Sequence, residues 1–297
     1  MTAAPIVGVL LLDKPVGLSS NAALQRVRRL AGRIKAGHCG SLDPLASGML
    51  PICLGEATRL AGELLEGRKC YRFGLLLGER SATGDAEGEI LERCAVPELD
   101  APGVSTVLAA FLGAQLQVPP MYSALKRDGQ PLYRLARAGL TVERAPRPIA
   151  IEELQLLGLA GAALDLRVLC SKGTYVRVLA EDIARALGSC GRLESLRRDY
   201  VEPFEHEALT SLEALEQTSP DAWRVLPADR AVGHLPVLRL DAAQSHALSC
   251  GRPVEMPECG PIGRWRLYDP QGRFLGLGRG AAGTLKVQRL FSAPLTM

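Results

Sequence analysis

Gly37-His38-Cys39-Gly40-Ser41-Leu42-Asp43-Pro44-Leu45-Ala46-Ser47-Gly48-Met49-Leu50-Pro51-Ile52-Cys53-Leu54-Gly55 is the stretch on which the reading of this 297-residue chain turns. Glycine and proline punctuate its first half, and an apolar run follows. It holds one carboxylate, Asp43, and no second acid. Loops carried by a rigid scaffold are where chemistry concentrates, so a lone carboxylate there can serve as nucleophile or base. An Asp-Pro pair is also the common sign of a simple turn closing a hairpin. Spacing alone favours the turn.

The rest of the chain narrows the choice. Its length permits one large domain, or one large and one small, at roughly 100–200 residues each. Hydrophobic residues make up 47% and charged residues 23%, the balance of a globule with a sizeable core. No apolar run approaches the ~20 residues that span a bilayer. Met1-Thr2-Ala3-Ala4-Pro5 lacks the charged region that opens a signal peptide, so a cytoplasmic location is expected. The eight cysteines include no C-x-x-C pair, and the four histidines are scattered. Reduced thiols packed as small hydrophobes and no metal centre are the expectation.

Net charge is only +3, but its distribution is uneven. Lys14, Arg26, Arg28, Arg29, Arg33 and Lys35 precede Leu42 with no acid among them. Lys126, Arg127, Arg134, Arg137, Arg144 and Arg147 face only Asp128 and Glu143. Arg264, Arg266, Arg273, Arg279, Lys286 and Arg289 face only Asp269. Three basic regions on a near-neutral globule fit a surface that tracks phosphates. Taken singly, each is equally a solvated face.

Periodicity supplies the elements. Residues 7–13 read as a buried strand stopped by Pro15, and Ser19 or Ser20 caps a helix through Leu30. Strands are predicted over 49–54, 70–77, 148–159 and 163–170, the last two paired across a glycine turn. Helices are predicted over 56–65, 104–112, 131–138 and 174–187, and Thr210-Ser211-Leu212-Glu213 reads as a capping box. The texture changes near residues 233–236. Beyond it come a short helix over 241–249 and strand-like runs over 264–268, 274–277 and 285–290, with a hairpin turn at Asp269-Pro270-Gln271-Gly272.

The gap-free string around Asp43 resembles the catalytic loop of the TruB family of tRNA pseudouridine synthases, close to G-H-x-G-x-L-D-P-x-A-x-G-x-L-P. Other segments carry the same resemblance: Lys14-Pro15; Lys69 and Tyr71 of a K-x-Y pattern; Thr83 and Asp85 of a T-x-x-D-like loop. So do Lys172-Gly173-Thr174-Tyr175-Val176-Arg177; Leu193-Glu194-Ser195-Leu196-Arg197-Arg198; and Pro119 to Lys126 with Gly129 to Arg137. The family more often has Thr at Cys39, which is expected to be a packing or backbone-bonding position. It often has His at Arg192 and Gly near Glu202.

The resemblance implies an α/β (α+β) fold: a mixed, largely antiparallel sheet with flanking helices, then a small PUA-like β-barrel domain. It implies a catalytic domain over residues 1–232, with a tRNA-clasping insertion at 119–147, and an RNA-binding domain over 233–297. The implied reaction isomerises uridine 55 of the tRNA T loop to pseudouridine by flipping the base and remaking the glycosidic bond. It needs no cofactor. Asp43 would be the catalytic carboxylate. Tyr71 would stack on the base and Arg177 would orient Asp43 with two fixed hydrogen bonds. His38 would enter the T loop, Tyr175 and Leu196 would line the pocket, and Lys14, Asp85 and Lys172 would bind substrate or support the site. The implied partner is tRNA without guide RNA, on a monomeric enzyme. A tRNA-folding chaperone with dispensable isomerisation shares every binding residue. A hydrolase pairing Asp43 with another acid is disfavoured, because no acid accompanies the loop.

Overall fold

A computed structural model describes residues 6–127, 129–257 and 262–295. The N-terminal reading of residues 1–5, the place of Asp128 in the second basic region and the thiol state of Cys259 lie outside the described residues. The chain divides into two compact units, one from Met1–Asp43, Met49–Leu65 and Glu202–Met297, the other from Pro44–Gly48 and Glu66–Val201. Mixed sheets flanked by helices build both.

In the first unit the apolar run becomes strand Gly8–Lys14, buried along nearly all its length. It pairs in parallel with Thr210–Ser211 and antiparallel with Val225–Leu226. Ser19 caps helix Ser20–Leu30, its hydroxyl accepting from the Ala22 N–H. Ala23, Leu24 and Val27 recur at helical spacing and pack with Leu10, Leu12, Leu50, Ile52 and Leu54 into one core. Strand Ala36–His38 then lies antiparallel to Ser47–Leu54, which places His38 opposite Ile52.

The same unit carries a five-stranded sheet in the order Val237–Arg239, Ile262–Tyr268, Phe274–Ala281, Thr284–Leu295, Val254–Glu255. Its core is Leu238, Leu240, Leu248, Met256, Leu267 and Leu285. Helix Ala242–Ser249 opens with a capping box between Asp241 and Gln244. The two outer strands are too short for alternation to show, which is why only the three longer ones are visible in the sequence.

The second unit is a sheet in the order Gly191–Val201, Lys69–Leu77, Ala163–Cys170, Arg147–Ala160, Gly113–Gln117. The expected hairpin pairs Ala160 with Ala163. Strand Gly191–Val201 is charged at five of its eleven positions and escaped the periodicity reading, yet it lies antiparallel beside Lys69–Leu77. Ser47 and Gly48 run parallel to Arg197 and Arg198. Gly48 has φ +98°, and a Cβ there would meet the Arg198 carbonyl oxygen at 2.2 Å, so only glycine fits.

Several expectations are corrected. Cys94 and Cys190 form a disulfide, with Cα atoms 5.7 Å apart, where reduced thiols were expected. Their 96-residue separation hides a pairing held through Gly78, whose carbonyl accepts from the Cys94 N–H and whose N–H donates to the Cys190 carbonyl. The helix expected over 104–112 runs Ala101–Ala109 because Asp100 accepts from the Gly103 N–H and caps it earlier. The helix over 56–65 starts as 3-10 turns at Gly55–Leu60 before becoming α at Ala61–Glu66. Ser211, not Thr210, caps helix Leu212–Gln217. Residues 82–88 are a loop, as expected of the T-x-x-D-like segment, and close a hairpin between Glu79–Ser81 and Ile90–Arg93. No helix among the described residues is long and apolar enough to cross a membrane.

Candidate active site

Asp43 is half-buried and immediately precedes a turn at Pro44-Leu45, as the turn reading of the Asp-Pro pair expects. Its approach is tightly held. Gly40 takes φ +92°. The Cys39 N–H donates to the Pro51 carbonyl at 2.8 Å. The Cys39 side chain is fully buried and its Sγ lies 3.5 Å from Cys53 Sγ, so it packs and bonds as expected. That contact and burial push the Cys53 thiol far up, which leaves it an inert thiol. The residue just before Asp43 is gripped from both sides: Ser20 Oγ accepts from the Leu42 N–H at 2.7 Å and donates to the Leu42 carbonyl at 2.9 Å.

Lys14 ends strand Gly8–Lys14 and is fully buried. Its ammonium donates to the carbonyls of Pro15 at 2.8 Å and Leu18 at 2.6 Å. A buried cation needs such partners, and these tie down the loop that leads into the Ser20 helix. His38 is half-buried at the end of its short strand.

In the second unit, register places a second set of residues together. Lys69, Tyr71 and Phe73 alternate onto one face of strand Lys69–Leu77. Tyr71 lies opposite Arg198 and Phe73 opposite Leu196, so those two side chains share that face. Tyr71 and Leu196 are each 8% exposed, and Arg198 is 1% exposed. This is an apolar wall with cations set into it. Burial, reinforced by the Arg198 guanidinium, pushes the Lys69 ammonium down to about 8. Lys69 also donates to the Gly67 carbonyl at 2.5 Å. The burial of Arg198 makes it part of the sheet's interior.

Arg177 occupies the first turn of helix Val176–Ala186 and is 5% exposed. Its two terminal nitrogens donate to the Thr83 carbonyl at 2.9 Å and the Tyr122 carbonyl at 2.6 Å. Its Nε lies 3.8 Å from the Asp85 carboxylate. Asp85, itself buried, also accepts from the Thr83 hydroxyl and from the Glu87 N–H. The T-x-x-D-like loop therefore forms a socket for the arginine. Tyr175 caps this helix half-buried, and the buried Gln117 amide bridges it: Oε1 accepts from the Tyr175 N–H at 2.8 Å while Nε2 donates to its carbonyl at 3.2 Å. Lys172 is exposed and pairs with Glu66.

The structure thus gathers the predicted residues into two sets. Lys14, His38 and Asp43 belong to the first unit. Tyr71, Asp85, Lys172, Tyr175, Arg177 and Leu196 belong to the second. Ser20 and Gln117 were missed as supports. Ser20 was legible only as a possible cap, and a glutamine ending a strand before Pro119-Pro120 gives no signal of its own. Several basic residues are already engaged: Arg26 with Glu216, Arg127 with the Glu143 carbonyl, Arg144 with the Pro119 carbonyl, and Arg264 with Glu63.

The sequence profile described as "TruB family pseudouridylate synthase (N terminal domain)" matches residues 28–176, and "Pseudouridine synthase II TruB, C-terminal" matches residues 236–291. The protein of Aromatoleum aromaticum named tRNA pseudouridine synthase B is 52% identical over 293 residues, covering 97% of this chain and 94% of that one. The Burkholderia mallei protein of the same name is 48% identical, covering 95% of this chain and 96% of its own. Among solved structures, a Cbf5-Nop10-Gar1 complex matches with TM-score 0.73 at 24% identity, over 96% of this chain and 84% of that one. An archaeal box H/ACA sRNP Nop10-Cbf5 complex matches with TM-score 0.70 at 23% identity, over 98% and 86%. These two show the shared fold.

Proposed function

This chain belongs to the TruB family of pseudouridylate synthases, and on that premise we propose that it converts uridine 55 in the T loop of tRNA to pseudouridine. The observation that carries the reading is near-full-length similarity, at 52% identity, to a protein named tRNA pseudouridine synthase B. The reaction breaks the N1–C1′ bond, turns the base, forms C5–C1′ and moves the C5 proton to solvent while N1 regains one. It is an isomerisation and draws on no cofactor. The target base is stacked in free tRNA and must be extruded to react.

The residues divide this work. Asp43 is the carboxylate that acts on the flipped nucleoside, and its half-buried place suits a group that must meet substrate. Tyr71 and Leu196, diagonal neighbours on one sheet face, offer the base an apolar wall. Arg177 orients Asp43; a buried guanidinium fixed by the Thr83 and Tyr122 carbonyls suits that task. His38 enters the T loop, and Tyr175 lines the pocket from its helix cap. Lys14, Asp85 and Lys172 support the site: the first two by their buried bonds, the third through its exposed ammonium near the RNA backbone. Residues 1–232 form the catalytic domain with 119–147 clasping the T arm, and 233–297 form the RNA-binding module. The enzyme works as a cytoplasmic monomer on tRNA without a guide RNA.

The test uses tRNA transcript tritiated at uridine C5. The full chain is expected to release tritium from a transcript with uridine 55 and none above background from that site when cytidine replaces it. Equal release from both transcripts would place the reaction elsewhere. Tight binding without release from either would favour a folding chaperone.

A further inference from the structure

We propose that Ser20 is a positioning residue for Asp43, fixing the plane of the peptide group from which the catalytic carboxylate hangs. The proposal rests on the reading of Asp43 as the reacting carboxylate. Ser20 is 4% exposed and lies 22 residues before Leu42. Its hydroxyl works in both directions, accepting from the Leu42 N–H at 2.7 Å and donating to the Leu42 carbonyl at 2.9 Å. These are two different peptide groups. The N–H belongs to the peptide joining Ser41 to Leu42. The carbonyl belongs to the peptide joining Leu42 to Asp43. Peptides are planar, so fixing that oxygen also fixes the nitrogen and Cα of Asp43, the point from which its side chain starts.

The grip comes from a rigid base. Ser20 opens helix Ser20–Leu30, and Ser19 already caps it, so the Ser20 side chain is spared that task. The helix buries Ala23, Leu24 and Val27 in the core. One hydroxyl therefore couples a packed helix to an irregular loop that has no regular ladder of its own between Gly40 and Ala46. The arrangement recurs at Gln117, whose amide brackets Tyr175 two residues before Arg177. A loop serving only as a connection does not need both faces of one residue held by a buried side chain.

Displacements of the order of 1 Å at a reacting group cost about 100-fold in rate. Ser20→Ala, with its hydroxyl gone, is expected to slow single-turnover pseudouridine formation by about 10- to 100-fold, with tRNA Kd changed less than threefold. Ser20→Thr, which keeps the hydroxyl, is expected to recover most of the rate. Both variants are assayed well below their measured Tm, beside wild type and Asp43→Asn. A Ser20→Ala rate equal to wild type, while Asp43→Asn is inactive, overturns the role of Ser20 and leaves Asp43 intact. Rate losses matched by Kd losses in both Ser20 variants also overturn it, because they report a general loosening. Full activity in Asp43→Asn would instead overturn the reading of Asp43 itself.

Discussion

The loop of Asp43 and the turn of Arg177 solve opposite problems. Asp43 is half-buried on irregular backbone, and the Ser20 grip acts on the main chain of the preceding residue. Arg177 is nearly inaccessible on a regular helix, and the grip acts on its side chain: the Thr83 and Tyr122 carbonyls and the Asp85 carboxylate surround the guanidinium. In the proposed roles, the group that meets substrate is steadied through its backbone and the group that orients it is locked at its tip.

The comparison breaks first where backbone cannot yield. Gly48, just beyond the Asp43 turn, has φ +98° and lies against the Arg198 carbonyl. Gly48→Ala is expected to cost about 4 kcal/mol or more in stability, read by urea unfolding. A change under about 1 kcal/mol would show that the two strands can separate without loss.

Arg177→Lys tests the locked tip. Lysine keeps the charge but not the fork that reaches two carbonyls. Single-turnover rate is expected to fall by about 100-fold with tRNA Kd nearly unchanged. Equal losses in both would make the residue part of the binding surface instead.

Lys69 sharpens the comparison through pH. Its native value of about 8 lies below the ordinary 10.5. Below about pH 8 the ammonium is charged in folded and unfolded chains alike, and the burial cost is fully present. Between about 8 and 10.5 the unfolded chain holds the proton that the native chain has lost, so stability rises with pH. Urea unfolding should show this rise in wild type relative to Lys69→Met. Parallel profiles would mean that Lys69 keeps its proton as an ordinary lysine does.

The smallest effect concerns the C-terminal sheet. Of the six basic residues in this region, Arg264 and Arg266 bond to Glu63 and the Leu235 carbonyl. Arg279 and Lys286 are exposed cross-strand neighbours and make the better probe. Replacing both with Gln should flatten the plot of log tRNA affinity against log salt by about 2 in slope. An unchanged slope would remove this face from the RNA contact surface.

Legibility follows the same division. The Asp43 loop, the Lys172–Arg177 turn and the Tyr71 strand were readable because their residues are contiguous. The Ser19 cap, the Gly8–Lys14 strand and the paired strands around Gly161 followed from local propensity and period. The Arg177 socket was not legible, since its acceptors are backbone carbonyls 94 and 55 residues away. Nor was the Cys94–Cys190 bond, or the central strand Gly191–Val201, whose charges mask its alternation. Side-chain chemistry can be read along a chain, whereas contacts to distant backbone require the fold.

The central claim is that Asp43 performs the isomerisation while the rest of the surface holds the RNA. The direct measurement is to incubate wild type and Asp43→Asn with unmodified tRNA transcript, map pseudouridine by carbodiimide-blocked primer extension, and measure tRNA Kd for both. A stop at position 55 with wild type alone, and affinities within a few-fold, is the predicted result. A stop with both proteins would contradict the claim, as would loss of binding and product together in the variant.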